Sequence, residues 1–179
     1  LRHAADGPWD PRLRAFAALS PPIDLDRGTR AIQRVDRRPY QEFILKSMRA
    51  QLVQVSKHRP LAIAPGEVER RIRTIRDWDR EVICPRFGFP SLEAFYEDEA
   101  VGPRLPNIRV PTLLVIADRD PMIAIDTVVP WLDGASEAMT IVRKRRGGHV
   151  AFPEDAGLTG ERGAGMENEV MRWLSARLG

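Results

Sequence analysis

Ile108-Arg109-Val110-Pro111-Thr112-Leu113-Leu114-Val115-Ile116-Ala117-Asp118-Arg119-Asp120-Pro121 is followed further on by Met139-Thr140-Ile141-Val142 and then by Gly147-Gly148-His149-Val150-Ala151-Phe152. Each half reads as a short buried strand that releases one chemically capable side chain at its C-terminal end. The first releases a carboxylate on a proline-containing turn, the second an imidazole on a Gly-Gly turn. Pro121 fixes the turn that aims Asp120, and Gly147 and Gly148 allow the tight backbone that presents His149. Asp118 is the rival carboxylate; Asp120 is preferred because it directly precedes the proline.

Working outward, Thr127 to Leu132 reads as a short helix returning the chain to the sheet, ended by Asp133-Gly134. Met166, Val170, Trp173, Leu174 and Leu178 recur at helical spacing and predict an amphipathic helix closing one face of the sheet. Strand, helix, strand, helix in succession is the doubly wound α/β pattern, in which function collects at the carboxyl ends of the strands. Upstream, Leu13 to Leu19 predicts another strand, stopped by Ser20-Pro21-Pro22, so that three parallel strands buried on both faces are expected. Leu1 to Ala5 reads as the tail of a helix stopped by Asp6-Gly7-Pro8. Because the chain opens there without an initiator methionine, a piece of a longer protein is expected, with half a sheet leaving an apolar edge to cover.

The middle of the chain is helical. Tyr40, Phe43, Ile44, Ser47, Met48, Leu52 and Val55 fall on one face of a helix beginning after Pro39, broken by Pro60 to Gly66. Val68, Ile72, Ile75 and Val82 give a second, charge-laced pattern, and Pro85 to Pro90 reads as a loop. Ser91 is the expected N-cap of a third helix with Leu92, Phe95 and Tyr96 on its apolar face. Three helices inserted between two strands suggest a lid over a site, or helical packing with no gating role. The expected organisation is residues 1–25 as a helix end and one core strand, 26–106 as the helical cap, and 107–179 as the α/β core carrying both loops.

Composition narrows the class. The 179 residues hold one cysteine, Cys84, so no internal disulfide forms, which fits a cytoplasmic protein; Cys84 reads as a small side chain near a chain turn rather than a nucleophile. No apolar run is long enough for a membrane span. The net charge of +3 comes mostly from arginines interleaved with acids, without the aromatic or helix-turn-helix pattern of a nucleic-acid binder. His58, between Lys57 and Arg59 at a helix end, reads as a dipole partner, and His3 is given no role.

Asp and His in this order, on consecutive strand ends 29 residues apart, are the last two members of a Ser…Asp…His relay. A serine hydroxyl needs an imidazole to take its proton during attack, and a buried carboxylate fixes that imidazole's tautomer. The nucleophile itself is not in the sequence. Gly134-Ala135-Ser136-Glu137-Ala138 has a serine but lacks the closing glycine of a nucleophile elbow, and it precedes a strand instead of following one.

Val110 to Pro121 with Gly147 to Phe152 resembles the C-terminal half of an α/β-hydrolase. Arg73-Thr74-Ile75-Arg76-Asp77-Trp78-Asp79 and Gly88-Phe89-Pro90-Ser91-Leu92-Glu93-Ala94-Phe95-Tyr96 resemble segments of its YheT-type branch, which includes the embryogenesis-associated hydrolase-like proteins. The resemblance implies a carboxylic ester hydrolase acting on a small ester or lipid-like substrate, with no metal or organic cofactor. Asp120 and His149 are then its catalytic acid and base, the nucleophile and oxyanion donors lie in a missing N-terminal half, and the chain alone is inactive. A different nucleophile, as in aspartate-based dehalogenases and epoxide hydrolases, or a non-catalytic scaffold of the same fold, remain the alternatives.

Overall fold

Three strands, β1 (Phe16–Leu19), β2 (Thr112–Ala117) and β3 (Met139–Lys144), form one parallel sheet in the order β1-β2-β3. Leu19 pairs with Val115, which in turn pairs with Val142. The chain also forms helices α1 (Arg2–Asp6), α2 (Leu25–Ala31), α3 (Arg38–Ser56), α4 (Val68–Arg71), α5 (Ile75–Trp78), α6 (Cys84–Phe87), α7 (Leu92–Glu99) and α8 (Met166–Ser175). This computed structural model describes residues 1–8, 10–61, 63–153, 158 and 165–178. They fall into two units, Leu1–Asp24 with Ala100–Gly179, and Leu25–Glu99.

In the sheet unit, all six residues of β2 are buried. Alternation sends Leu114 and Ile116 to one face, with Leu105, Ile108 and Val128, and Leu113 and Val115 to the other, with Met166 and Val170 of α8. A strand covered on both faces has no polar side to show, hence its unbroken apolar run. Each such side chain contributes about 1.5–3 kcal/mol of burial. The expectation of three doubly buried strands holds for β2 alone. β1 and β3 flank it and are less buried: β1 is partly buried throughout, and in β3 Thr140 and Arg143 are exposed while the other four residues are partly buried.

Two further sequence expectations change here. Between β2 and β3 there is no α-helix over 127–132; the chain makes 3₁₀ turns at Ile125–Thr127 and Val129–Trp131. Pro130 supplies no backbone donor, and the Thr127 hydroxyl donates to the Ala124 carbonyl at 2.7 Å, which ties the first turn locally. At the C-terminus, α8 stops at Ser175, so Leu178 lies past the helix and is exposed while Met166 and Val170 are buried as expected.

The helical unit has its own core of Leu45, Leu52, Ile63, Val68 and Ile72. Of the expected stripe on α3, Leu52 is buried and Ile44, Met48 and Val55 are partly buried, but Tyr40, Phe43 and Ser47 are exposed, Phe43 by 75%, and the buried face takes in Gln41 and Leu45 instead. Gln41 is accommodated on the buried face with its side-chain oxygen accepting from the Ile75 backbone N–H at 3.4 Å. The second helical pattern is broken in two. Ile72 is extended, and α5 restarts behind a capping box in which the Thr74 hydroxyl accepts from Asp77 N while the Asp77 carboxylate accepts from Thr74 N. A π-helical turn, Asp79–Ile83, runs into α6, so Pro85-Arg86-Phe87 is helical and the loop begins only at Gly88. Ser91 caps α7 as expected, accepting from Ala94 N at 3.1 Å.

Candidate active site

Both strand ends expected to carry chemistry lie at the carboxyl edge of the parallel sheet. After β2 the backbone folds back on itself, with Asp120 N donating to the Ala117 carbonyl at 3.4 Å. Pro121 has no N–H, and the next two amides, of Met122 and Ile123, both donate to Asp120 Oδ1 at 2.8 Å. The carboxylate therefore shapes its own turn, an arrangement that aspartate favours because its short side chain reaches the following backbone. With Oδ1 so held, Oδ2 meets His149 Nδ1 at 3.1 Å.

After β3 the chain reaches Gly147, whose φ of +139° lies where only glycine is at ease, and a Cβ there would sit 2.5 Å from the Phe152 ring. Phe152 packs with the core beneath α8, so the missing side chain of Gly147 lets that ring lie against the loop backbone. Gly148 has no such need: its N–H donates to the Ala151 carbonyl at 2.8 Å and a Cβ would meet only ordinary contacts. The Asp120 side chain is 2% exposed and that of His149 30% exposed. A buried carboxylate thus faces one nitrogen of a ring that is open on its other side. Such a pair fixes the tautomer with Nδ1–H donating and leaves the Nε2 lone pair to accept a proton.

Asp118, two residues earlier, is spent elsewhere: the Arg143 side chain of β3 donates to it at 2.5 Å. The preference for Asp120 over Asp118 matches where the two side chains go. Ser136 is placed just before β3, its hydroxyl accepting from Ala138 N and its own N–H donating to the Leu105 carbonyl. It therefore sits at the opposite edge of the sheet, a strand length of about 17 Å from the loops of Asp120 and His149. His58 is exposed beyond α3, and the His3 ring packs edge-on against Phe16. Cys84 is a buried free thiol near the Ser91 carbonyl, and burial pushes its pKa up, away from nucleophile chemistry. Among the described residues no group of three or more His, Cys, Asp or Glu side chains could hold a metal ion.

Sequence reading passed over Ser20 at the end of β1. Its φ is +46°, the residue is 3% exposed, and its hydroxyl is buried with no hydrogen-bond partner among the described residues. Strain and an orphaned polar group together mark a residue for scrutiny. The only sequence signal was the Ser-Pro-Pro that ends the strand.

A three-stranded parallel sheet with flanking helices and a helical segment in sequence between β1 and β2 is consistent with the C-terminal part of an α/β-hydrolase fold. Known proteins indicate the same superfamily, at low identity. Over 141 residues, 75% of this chain and 37% of the relative, the sequence is 28% identical to a Synechocystis protein bearing an esterase name. It is 28% identical over 86 residues to the Saccharomyces cerevisiae monoacylglycerol lipase, covering 48% of this chain and 19% of that protein. Against the human phospholipase ABHD3 it is 24% identical over 102 residues, 56% of this chain and 25% of the relative. The chain thus spans well under half the length of these relatives. No protein-family model and no solved structure matches it. No helix among the described residues is long and apolar enough to cross a membrane.

Proposed function

We propose that this chain supplies the acid and base of a Ser-Asp-His relay in a carboxylic ester hydrolase. The observation that carries the reading is the 3.1 Å contact between His149 Nδ1 and a carboxylate that is 2% exposed, on the loops of neighbouring parallel strands. His149 Nε2 takes the proton of a serine hydroxyl as it attacks the ester carbonyl, then returns it to the departing alcohol; water resolves the acyl-enzyme by the same route in reverse. Asp120 holds the ring and balances the imidazolium that forms. No metal or organic cofactor enters these steps.

The nucleophile and the oxyanion donors are assigned to sequence outside this chain, so the 179 residues alone are expected to be inactive. The helical residues between β1 and β2 are read as a cap, and the likeness of Arg73 to Asp79 and Gly88 to Tyr96 to YheT-type segments supports that branch. The lipase and phospholipase names of two relatives support a lipid-like ester as substrate. A single buried thiol is in keeping with a cytoplasmic protein.

Fluorophosphonate labelling tests the reading. The chain and the product of its complete gene are each probed, with and without His149→Ala. Labelling of the complete product only, lost in the variant, is the expected result. A folded complete product that does not label moves the nucleophile to another residue type or removes catalysis altogether. Labelling of the short chain means its own serines include the nucleophile.

A further inference from the structure

The helical unit holds a cavity of about 480 Å³ that the relay does not use. It opens between the C-terminal half of α3, the stretch after it, and the segment running from Trp78 to Phe87. Its floor is the unit's own core: Leu52 and Ile63 are buried core members, while Trp78 and Val82 pack at the edge of that core and stay partly open. The core is therefore unsealed on this side. A π-helical turn, Asp79–Ile83, brings Glu81, Val82 and Ile83 to the wall, and such turns recur at functional sites. The volume lies within the range of about 300–1,000 Å³ found for small-molecule sites.

Charge decides which molecule fits. Three ionisable side chains line the cavity: Arg59, Glu81 and Arg86. Glu81 is paired with Arg71. Arg59 and Arg86 are exposed and have no carboxylate partner among the described residues; the Arg86 guanidinium stands 5.5 Å from the Phe87 ring. Two uncompensated cations thus stand at the opening of an apolar hole. We propose that this cavity binds a single-chain amphiphile, its alkyl chain against Leu52, Ile63, Trp78 and Val82 and its anionic headgroup on Arg59 and Arg86. The site lies wholly within the helical unit and does not depend on the relay of Asp120 and His149.

Trp78 supplies the readout. The full 179-residue chain is titrated with octanoate, decanoate, dodecanoate and dodecyl phosphate, each below its micelle concentration, while tryptophan emission is followed. Saturable one-site binding is expected, tightening about fourfold per added methylene until the cavity is full. Trp78→Phe removes the optical change but not the binding heat. Arg59→Gln and Arg86→Gln, both at exposed positions, each weaken dodecanoate by about fivefold and leave dodecanol unchanged. Circular dichroism checks that these variants fold. Equal binding of dodecyltrimethylammonium, or dodecanoate affinity indifferent to both arginine variants, overturns the headgroup assignment. Absence of saturable binding by any of the amphiphiles overturns the site. The titration repeated in His149→Ala gives the same affinity, so failure of this site and failure of the relay are separable.

Discussion

Asp120 in the sheet unit and Asp79 in the helical unit are both buried carboxylates held by hydrogen bonds, and they are held to different ends. Asp120 receives two backbone amides on one oxygen and a partly open imidazole on the other. Asp79 receives the Tyr96 hydroxyl at 2.7 Å inside the helical packing, where burial pushes its pKa up and that hydrogen bond, with the Arg76 guanidinium, only partly offsets the rise. The Tyr96 hydroxyl is itself pushed well above its ordinary range by burial. One carboxylate faces the nitrogen of a partly exposed imidazole. The other faces a phenol that does not titrate near neutral pH. Burial and hydrogen bonding alone therefore do not separate the two carboxylates; their partners do, and the relay proposed above rests on that difference.

The sharpest way to break this contrast is to neutralise each carboxylate in the complete gene product and measure ester hydrolysis. Asp120→Asn is expected to lower kcat by about ten-thousand-fold, because the amide favours the wrong imidazole tautomer, and His149→Ala by about a million-fold. Asp79→Asn and Asp118→Asn are expected to leave kcat within about threefold, since neither touches the histidine. A comparable loss from Asp79→Asn would show that the contrast has been drawn in the wrong place.

The second test compares the two cores by urea unfolding. Leu114→Ala in β2 and Leu45→Ala in α3 each empty a fully buried site and should lower stability by about 2–5 kcal/mol. Phe43→Ala, on the stripe that the sequence alone would bury, should change it by less than about 0.5 kcal/mol. A large loss at Phe43 would restore the sequence-based register of α3.

That register shows where the sequence was legible and where it was not. In the sheet unit, position is set by strand pairing. An unbroken Thr112–Ala117 run can only be a strand covered on both faces, and the loop leaving it must emerge at the sheet's carboxyl edge. Asp120 and His149 could therefore be placed before any contact was known. The choice between Asp118 and Asp120 rested on a proline, and the carboxylate's grip on the Met122 and Ile123 amides gives the physical reason behind it. In the helical unit, position is set by single side-chain hydrogen bonds. Gln41, a polar residue that periodicity counts against burial, lies on the buried face of α3 and meets the Ile75 amide there. The break before α5 was written in Thr74-x-x-Asp77, but within a charged stretch a capping box is easily read as helix surface. Ser20 left no periodic trace at all.

The units also differ in how they should answer to pH. Because burial raises the pKa of Asp79 above its unfolded value, the folded state there prefers the protonated acid. Its contribution is fully present below the unfolded pKa and is lost as pH rises through the folded one. Asp79→Asn keeps an acceptor for Tyr96 but has no charge to bury. Its stability relative to the parent chain should therefore improve from pH 4 to pH 7. Asp6 in the sheet unit goes the other way: the Arg2 hydrogen bond holds its pKa down, so that contribution is present at neutral pH and lost in acid. Asp6→Asn should lose ground against the parent as pH rises over the same window. Urea midpoints at the two pH values check both signs, and equal trends for the two variants would refute the assignment.

A small gain in stability, where the other core variants lose it, is expected at Ser20, where the sheet unit departs from its own regularity. Ser20→Ala keeps the Cβ and hence the strained backbone, and removes only a buried hydroxyl without a partner, so stability should rise by about 1 kcal/mol. Ser20→Gly removes the strain as well, worth about 1–2 kcal/mol, but it restores freedom to the unfolded chain at a cost of about 0.5–1 kcal/mol. The two variants should therefore unfold within about 1 kcal/mol of each other, both above the parent. The same pair in the complete gene product asks a different question. If Ser20→Ala there lowers stability or hydrolysis instead of raising stability, the hydroxyl has acquired a hydrogen-bond partner from the rest of the protein. The end of β1 would then belong with Asp120 and His149 at the working edge of the sheet.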